Sequence, residues 1–223
     1  MWRASFLLAV CFSGLCAGGQ ATVPITEKIE WTWTDRPNAP VAALPNVLLV
    51  GDSIARNYYP FVEQELKGVA NVYLFATSAS GGDPRLPTQL HDYFGMMGLP
   101  FAVVHFNNGL HGVGSTDQQY AAGLPAMIAA LRAGAPKATL VWATTTPVRD
   151  NPTSGGLTSL RVDERNRLAA VLMSGEAIAV DDQHALMALH AAMHSDDVHF
   201  TDEGSAIQAT QVAATVRKAL PKP

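Results

Sequence analysis

Five short apolar runs alternate with stretches of helical length along this chain, and this alternation constrains the fold more than any other feature. The runs have the length and β-branched character of strands buried on both faces, and they span 47–50, 72–76, 101–106, 138–144 and 177–180. Stretches with helical spacing separate them or follow the last one, at 59–67, 86–96, 117–133, 162–173 and 202–220. Strand and helix taking turns predicts an α/β protein, a three-layer α/β/α sandwich around a five-stranded parallel sheet.

Polar residues cluster directly after the first apolar run. Ligands of parallel sheets bind beyond the carboxyl ends of the strands, so the loops there are expected to carry the chemistry. Ser53, in Gly51-Asp52-Ser53, would present its hydroxyl at that edge, beside the unpaired N–H groups that begin a helix. Taken alone, the tripeptide is equally typical of a tight turn in which Asp52 or Ser53 caps the helix.

A serine nucleophile needs a base, and a candidate lies near the far end of the chain. His199 directly precedes the last helical stretch, and Asp196 lies three residues earlier. One turn at that spacing brings a carboxylate onto an imidazole, which fixes the tautomer and stabilises the imidazolium. A polar turn that merely contains a histidine is the alternative, and the combination with Ser53 is what favours catalysis.

Length and charge narrow the class of protein. The chain has 223 residues, of which 48% are apolar, and this length fits one domain, here 46–223, with a substantial core. Its formal net charge is −4, which argues against a nucleic-acid partner, since those usually require a basic face.

Residues 1–21 have the features of a secretory signal peptide: one arginine, a short apolar run and a small-residue exit with cleavage after Ala21. The apolar run is too short for a comfortable membrane span, so no stable membrane insertion is expected after cleavage. Cys11 and Cys16, the only cysteines, lie in this segment, which leaves the rest without a disulfide or thiol nucleophile. We therefore expect an exported protein, periplasmic or secreted, whose residues 22–45 form a lead-in wrapped over the surface. Trp31 and Trp33 in that lead-in are interpreted as anchoring rings, or as a sugar platform.

These motifs resemble the SGNH family, also called GDSL-type hydrolases, over essentially the whole chain after the leader. Gly51-Asp52-Ser53 is similar to the family's first block, and Asp196-Asp197-Val198-His199 to its last. Ser78-Ala79-Ser80-Gly81 is similar to the second block. The resemblance implies a flavodoxin-like fold, a triad of Ser53, His199 and Asp196, and oxyanion donors at the Ser53 and Gly81 N–H groups.

The third block departs from the family pattern. The family has Gly-x-Asn-Asp after the third strand, whereas this chain has Asn107-Asn108-Gly109-Leu110-His111-Gly112. Either His111 takes the place of the family's oxyanion-binding asparagine, or Asn107 or Asn108 reaches the same point from a shifted loop. A third reading is that the two asparagines only satisfy backbone groups of the loop.

Other polar clusters are less specific. Thr144-Thr145-Thr146, after the fourth run, is interpreted mainly as a loop whose hydroxyls cap backbone groups, and otherwise as a pocket wall. His190 and His194 are four residues apart and would share a helix face, which with His184 and Asp181-Asp182 suggests a metal site. No glutamate stands between them as in zinc proteases, so we expect no metal and no other cofactor.

The sequence as a whole favours an exported serine esterase. Ser53 would form an acyl-enzyme with a small-molecule or glycan ester, and short acyl groups such as acetyl on carbohydrate are the expected substrates. Two alternatives stay open: a sugar O-acyltransferase with the same triad, and a non-catalytic domain that binds glycan or envelope. The altered third block is the feature that favours the second.

Overall fold

The computed structural model describes residues 26–151 and 156–222, so the predicted signal peptide lies outside the described residues. Its strands are β1 (Thr32–Asp35), β2 (Asn46–Gly51), β3 (Asn71–Thr77), β4 (Val103–Phe106), β5 (Thr139–Ala143) and β6 (Ala179–Asp181). Its helices are α1 (Ser53–Glu65), α2 (Arg85–Met97), α3 (Asp117–Gly134), α4 (Ser159–Gly175), α5 (Gln183–Ala188) and α6 (Asp202–Ala219). A 3₁₀ turn, Ala191–Met193, precedes the loop that leads into α6.

The strands form one sheet in the order β1-β3-β2-β4-β5-β6. The last five strands in the chain, β2 to β6, are parallel, and each is hydrogen-bonded to its neighbours in the sheet. Their order is that of the flavodoxin-like sheet. From β2 the chain first adds β3 on one side, and it then crosses to the other side of β2 to add β4, β5 and β6. The predicted parallel α/β/α sandwich is therefore confirmed. Its topological switch point, where ligands bind in such sheets, is the crevice beyond β2 and β4.

The sheet has one strand more than the sequence predicted. The lead-in segment contributes β1, which pairs antiparallel with β3 and places Thr32 opposite Thr77. All four residues of β1 are exposed and only Trp33 among them is apolar, so the segment lacks the apolar run from which the other strands were predicted. Main-chain pairing with an otherwise open sheet edge is what makes it a strand.

Side chains of the central strands alternate between two apolar layers. Val47 and Leu49 face α1 and α6, whereas Leu48 and Val50 face α2, α3 and α4. Because successive side chains of a strand point to opposite faces, two helical layers are needed to cover the sheet. The core accordingly lies above and below β2, β3 and β4.

Helix α1 begins earlier than its apolar pattern indicated. It starts at Ser53 rather than near residue 59, and Pro60 lies inside it. The Asp52 carboxylate accepts a hydrogen bond from the Ile54 N–H (2.9 Å) and so caps the helix, and this stabilises the first turn ahead of the proline. Among the described residues, no helix is long and apolar enough to cross a membrane.

Candidate active site

Ser53 lies at the switch point of the sheet, directly after β2 and at the first position of α1. The Ser53 N–H has no partner within the helix, because the first N–H groups of a helix lie before any carbonyl they could reach. The positive end of the helix dipole adds to this local preference for negative charge. The fold therefore places a hydroxyl and a free N–H donor at the same point.

His199 and Asp196 meet Ser53 across the molecule. The His199 Nε2 lies 2.7 Å from the Ser53 Oγ, and the His199 Nδ1 lies 2.8 Å from the Asp196 Oδ2. Both distances are those of hydrogen bonds. A carboxylate, an imidazole and a hydroxyl are thus connected in one chain, in the arrangement that a general base needs to remove the serine proton.

The Asp196 carboxylate is ionised throughout the range in which proteins are usually assayed. Burial would raise its pKa, but the hydrogen bonds from the N–H groups of Val198 and His199, and from the His199 ring, outweigh that effect and lower the pKa to about 2. One Asp196 oxygen accepts both N–H bonds (2.8 and 2.7 Å), which leaves the other for the imidazole. The carboxylate consequently holds the Nδ1 proton and leaves Nε2 as the acceptor for Ser53.

The loop that carries these two residues is anchored at both ends. The Ser195 N–H donates to the His199 carbonyl (2.9 Å), and the Arg149 N–H donates to the Asp197 carbonyl (2.8 Å). Thr201 then caps α6 through its side chain. These bonds fix the His199 backbone, so the ring needs little reorganisation to reach Ser53.

The Gly81, Asn107 and Asn108 donors are engaged elsewhere in this geometry. The Gly81 N–H donates to the Asn108 carbonyl (2.8 Å). The Asn107 amide donates to the Ala143 carbonyl and the Thr145 hydroxyl, and the buried Asn108 amide donates to backbone carbonyls that include that of Thr77 (3.2 Å). For any of them to bind an oxyanion, one of these bonds would have to open.

His111 is placed differently from the two asparagines. It lies in the loop after β4 and lines, with Ser53, His199 and Asp196, an open cavity of about 710 Å³. Its Nδ1 lies 3.0 Å from the Glu27 carboxylate, and no described residue hydrogen-bonds its Nε2. Of the three residues predicted to supply the third donor, His111 is therefore the one with a nitrogen that no described residue engages, in a cavity that Ser53 also lines.

Arg165 of α4 supports this loop from behind. Its guanidinium is fully buried and donates to the carbonyls of Gly109 and His111 (both 2.7 Å) and of Gly112 (2.9 Å). Sequence reasoning missed Arg165, although a signal exists: it occupies a position in the buried stripe of α4 otherwise filled by Val162, Ala169 and Met173. A lone arginine in an apolar stripe indicates a buried polar partner.

The remaining polar clusters form structural contacts. The Thr144 hydroxyl accepts from the His184 N–H (2.8 Å) and so caps a backbone group. The Thr145 hydroxyl instead accepts from the Asn107 amide (3.1 Å), and the buried Thr146 hydroxyl has no partner among the described residues. His190 and His194 lie on either side of the 3₁₀ turn, so they do not share a helix face as expected. In the described part of the chain, no group of three or more histidine, cysteine, aspartate or glutamate side chains could hold a metal ion.

Comparisons with known proteins agree with this geometry at the level of the fold. No family model matches the chain, and no curated protein matches it. Solved structures do match. A lipolytic protein of the G-D-S-L family from Veillonella parvula superimposes with a TM-score of 0.61 at 15% identity, covering 78% of this chain and 98% of the other.

The chain has the SGNH hydrolase fold. An aryl esterase from M. smegmatis gives a TM-score of 0.63 at 16% identity, covering 79% of this chain and all of the other. A carbohydrate acetylesterase from Sinorhizobium meliloti gives 0.62 at 14% identity, covering 78% and 99%. Identities this low show the SGNH hydrolase fold alone, because one fold hosts several chemistries, and function has to be argued from the site.

Proposed function

We propose that this protein is a serine ester hydrolase with Ser53 as nucleophile, His199 as general base and Asp196 as the group that orients His199. The observation that carries the proposal is the unbroken hydrogen-bond chain from Asp196 through His199 to Ser53, located at the switch point of an SGNH hydrolase fold. A structural polar turn would not need to direct an imidazole at a serine 146 positions away in the chain.

The reaction follows from the positions of the protons. His199 Nε2 accepts the Ser53 proton as Oγ attacks the ester carbonyl, and the imidazolium that forms is stabilised by the Asp196 carboxylate. The same proton then passes to the leaving alkoxide, which departs as an alcohol and leaves an acyl-enzyme. Water attacks the acyl-enzyme after His199 removes one of its protons, and the acid is released with Ser53 restored.

The negative charge of the tetrahedral intermediate needs donors beside Ser53. The Ser53 N–H supplies one, since at the first position of α1 it has no partner within the helix. His111 supplies a second from Nε2, the nitrogen that has no partner among the described residues. Two donors aimed at the developing charge stabilise the transition state more than the ground state, which is the requirement for catalysis.

We infer that the substrate is a carbohydrate ester with a short acyl group, met after export. The cavity has the volume of a small-ligand site and is widely open, as a site for part of a larger glycan would be. Export rests on the N-terminal 21 residues. The carbohydrate acetylesterase among the structural neighbours supports the same class.

The experiment that tests hydrolysis is turnover of p-nitrophenyl acetate by the chain without residues 1–21. We expect Ser53→Ala and His199→Ala to abolish turnover, whereas Ser195→Ala should leave it unchanged. Ser195 is the matched control because it lies beside Asp196 and its hydroxyl makes no hydrogen bond with a described residue. Full turnover by folded Ser53→Ala would overturn the proposal.

The substrate class is tested separately by acyl-chain length and by product. We expect faster release of acetate from acetylated glycan than of butyrate or octanoate from matched esters. Equal or faster release of the long chains would contradict the short-acyl assignment. Adding a free sugar acceptor separates hydrolysis from acyl transfer, since transfer would yield a new sugar ester in place of free acid.

A further inference from the structure

Residues 26–31 reach the His111 loop before the lead-in turns into β1. The two oxygens of Glu27 accept from the Gly112 N–H (2.9 Å) and face the His111 Nδ1 (3.0 Å). The Trp31 ring contacts the His111 ring edge-on, with centroids 5.7 Å apart. A ring that is hydrogen-bonded at one nitrogen and packed against a second ring has the direction of its other nitrogen, Nε2, set by the protein.

Hydrogen-bond chemistry restricts the protonation state that is useful at this position. A carboxylate only accepts hydrogen bonds, so the proton between Glu27 and His111 belongs to Nδ1. In the neutral imidazole, Nε2 then carries no proton and is an acceptor, which would repel an oxyanion. Only the doubly protonated imidazolium, with a second proton on Nε2, donates to one.

The charges around His111 favour that imidazolium. Burial of the ring would lower its pKa, but the Glu27 hydrogen bond and the negative charges of Asp52, Glu27 and Glu30 outweigh burial, so the pKa of His111 is raised. The ionisable groups facing it come from four elements. They are Glu27, Lys28 and Glu30 of the lead-in, Asp52 and Arg56 at the start of α1, Asp196, Asp197 and His199 of the opposite loop, and Arg165 of α4 at its carbonyl.

We propose that Glu27 is a positioning residue that holds His111 as an imidazolium with Nε2 toward Ser53, so that the oxyanion site of this protein contains a fixed positive charge in place of a neutral amide. The proposal rests on the proposed function and deepens it, because it assigns part of the active site to the lead-in. It also gives the site a limit on the alkaline side, since the donor disappears when His111 loses its second proton.

Kinetics of three single variants and one double variant test the coupling between Glu27 and His111. We expect Glu27→Gln to lower kcat by about tenfold or more with little change in KM, since removing an oxyanion donor outright costs about 10²–10³-fold. His111→Asn, which restores a neutral amide donor, should retain measurable activity, and adding Glu27→Gln to it should cost no further activity. Glu65→Gln, which neutralises an exposed carboxylate that pairs with Arg217 at the far end of α1, is the matched control and should change kcat by less than about twofold. Equal losses from Glu27→Gln in both backgrounds would overturn the proposal.

The pH profile gives a second readout that a merely structural role would not move. Activity of the parent should fall as the pH rises through the pKa of His111, and this alkaline limb should shift to lower pH in Glu27→Gln. In His111→Asn the limb should be absent. An unchanged limb in both variants would assign it to another group and contradict the proposal.

A measurement without turnover separates this inference from the proposed function. In Ser53→Ala, the ¹⁵N shifts of the His111 ring nitrogens report their protonation directly as the pH is varied. We expect both nitrogens to carry protons at neutral pH, and the midpoint to fall in Ser53→Ala/Glu27→Gln. An unprotonated Nε2 at neutral pH would overturn the inference whether or not the protein hydrolyses esters.

Discussion

Replacing Arg165 with methionine should destabilise the whole domain and disable the His111 loop. The guanidinium is fully buried, and three loop carbonyls, those of Gly109, His111 and Gly112, accept hydrogen bonds from it. It also lies over the Tyr120 ring, 4.9 Å from the centroid, and contacts Asp117 at 3.2 Å. Methionine fills similar space but offers no donor.

The size of the loss follows from what is left behind. A buried acceptor without a partner costs about 1–3 kcal/mol, and three carbonyls lose a donor together, though such costs are not additive. Breaking a buried charged network by removing one member costs about 3–5 kcal/mol. Asp117 keeps Arg161 as a partner at 2.9 Å, which limits the damage on that side. We therefore expect the free energy of unfolding to fall by about 3–5 kcal/mol, and the Tm by about 6–20 °C for a domain of this size.

Urea unfolding followed by circular dichroism measures this effect, and Arg167→Met is the matched control. Arg167 lies on the same helix, but its side chain is 63% exposed and pairs only with Glu164 among the described residues, so its replacement should leave the urea midpoint close to that of the parent. Arg165→Lys keeps the charge but not the planar fork, and should fall between the two. A loss below about 1 kcal/mol for Arg165→Met would refute the reasoning that these bonds hold the loop.

Three further predictions concern single residues. Asp196→Asn should lower kcat by about 10²–10⁴-fold with little change in fold, because the imidazole loses the group that fixes its tautomer; ester kinetics and circular dichroism check this, and near-normal kcat would exclude the orienting role. Gly112→Ala should destabilise by about 1–3 kcal/mol in urea unfolding, since Gly112 has φ +71° and an added Cβ would lie 2.6 Å from the Ser80 Oγ; a variant as stable as the parent would contradict the strain. Asp181 is buried, which would raise its pKa, but its hydrogen bond with His105 and the charge of that ring, aided by two glutamines, lower the pKa overall. A lowered pKa stabilises the fold above the unfolded value of about 3.9 and is lost as the pH falls through the folded value, so Asp181→Asn should show a flatter decline of stability below pH 4 than the parent; parallel curves would contradict this.

Much of the fold could be predicted because β2, β3, β4 and most of β5 are buried and carry that burial in their composition. The expectation of burial on both faces was wrong for β6, an edge strand in which Ala179 and Val180 are exposed. β1 could not be predicted in the same way, since all four of its residues are exposed and its stability comes from pairing with β3. The apolar pattern placed the first helical stretch only from residue 59, whereas the Asp52 cap, which the Gly51-Asp52-Ser53 motif allowed for, begins α1 at Ser53.

The same distinction applies to the residues of the candidate site: those in a local motif could be predicted, and those that depend on long-range contacts could not. Ser53, Asp196 and His199 could be named because each is local to a recognisable motif, and the structure brings the three together. Glu27 could not, because its contact with His111 joins positions 84 residues apart and no local pattern announces it. Choosing among His111, Asn107 and Asn108 needed coordinates, since the distinction depends on which donors the loop has already used.

The most direct test of the central claim is the intact mass of the protein after incubation with a fluorophosphonate. We predict one covalent adduct on the parent chain and on Ser195→Ala, and none on Ser53→Ala, because only a serine activated by His199 attacks phosphorus at neutral pH. An unlabelled parent that is folded, or equal labelling of folded Ser53→Ala, would contradict the claim that the Asp196–His199–Ser53 chain activates this serine.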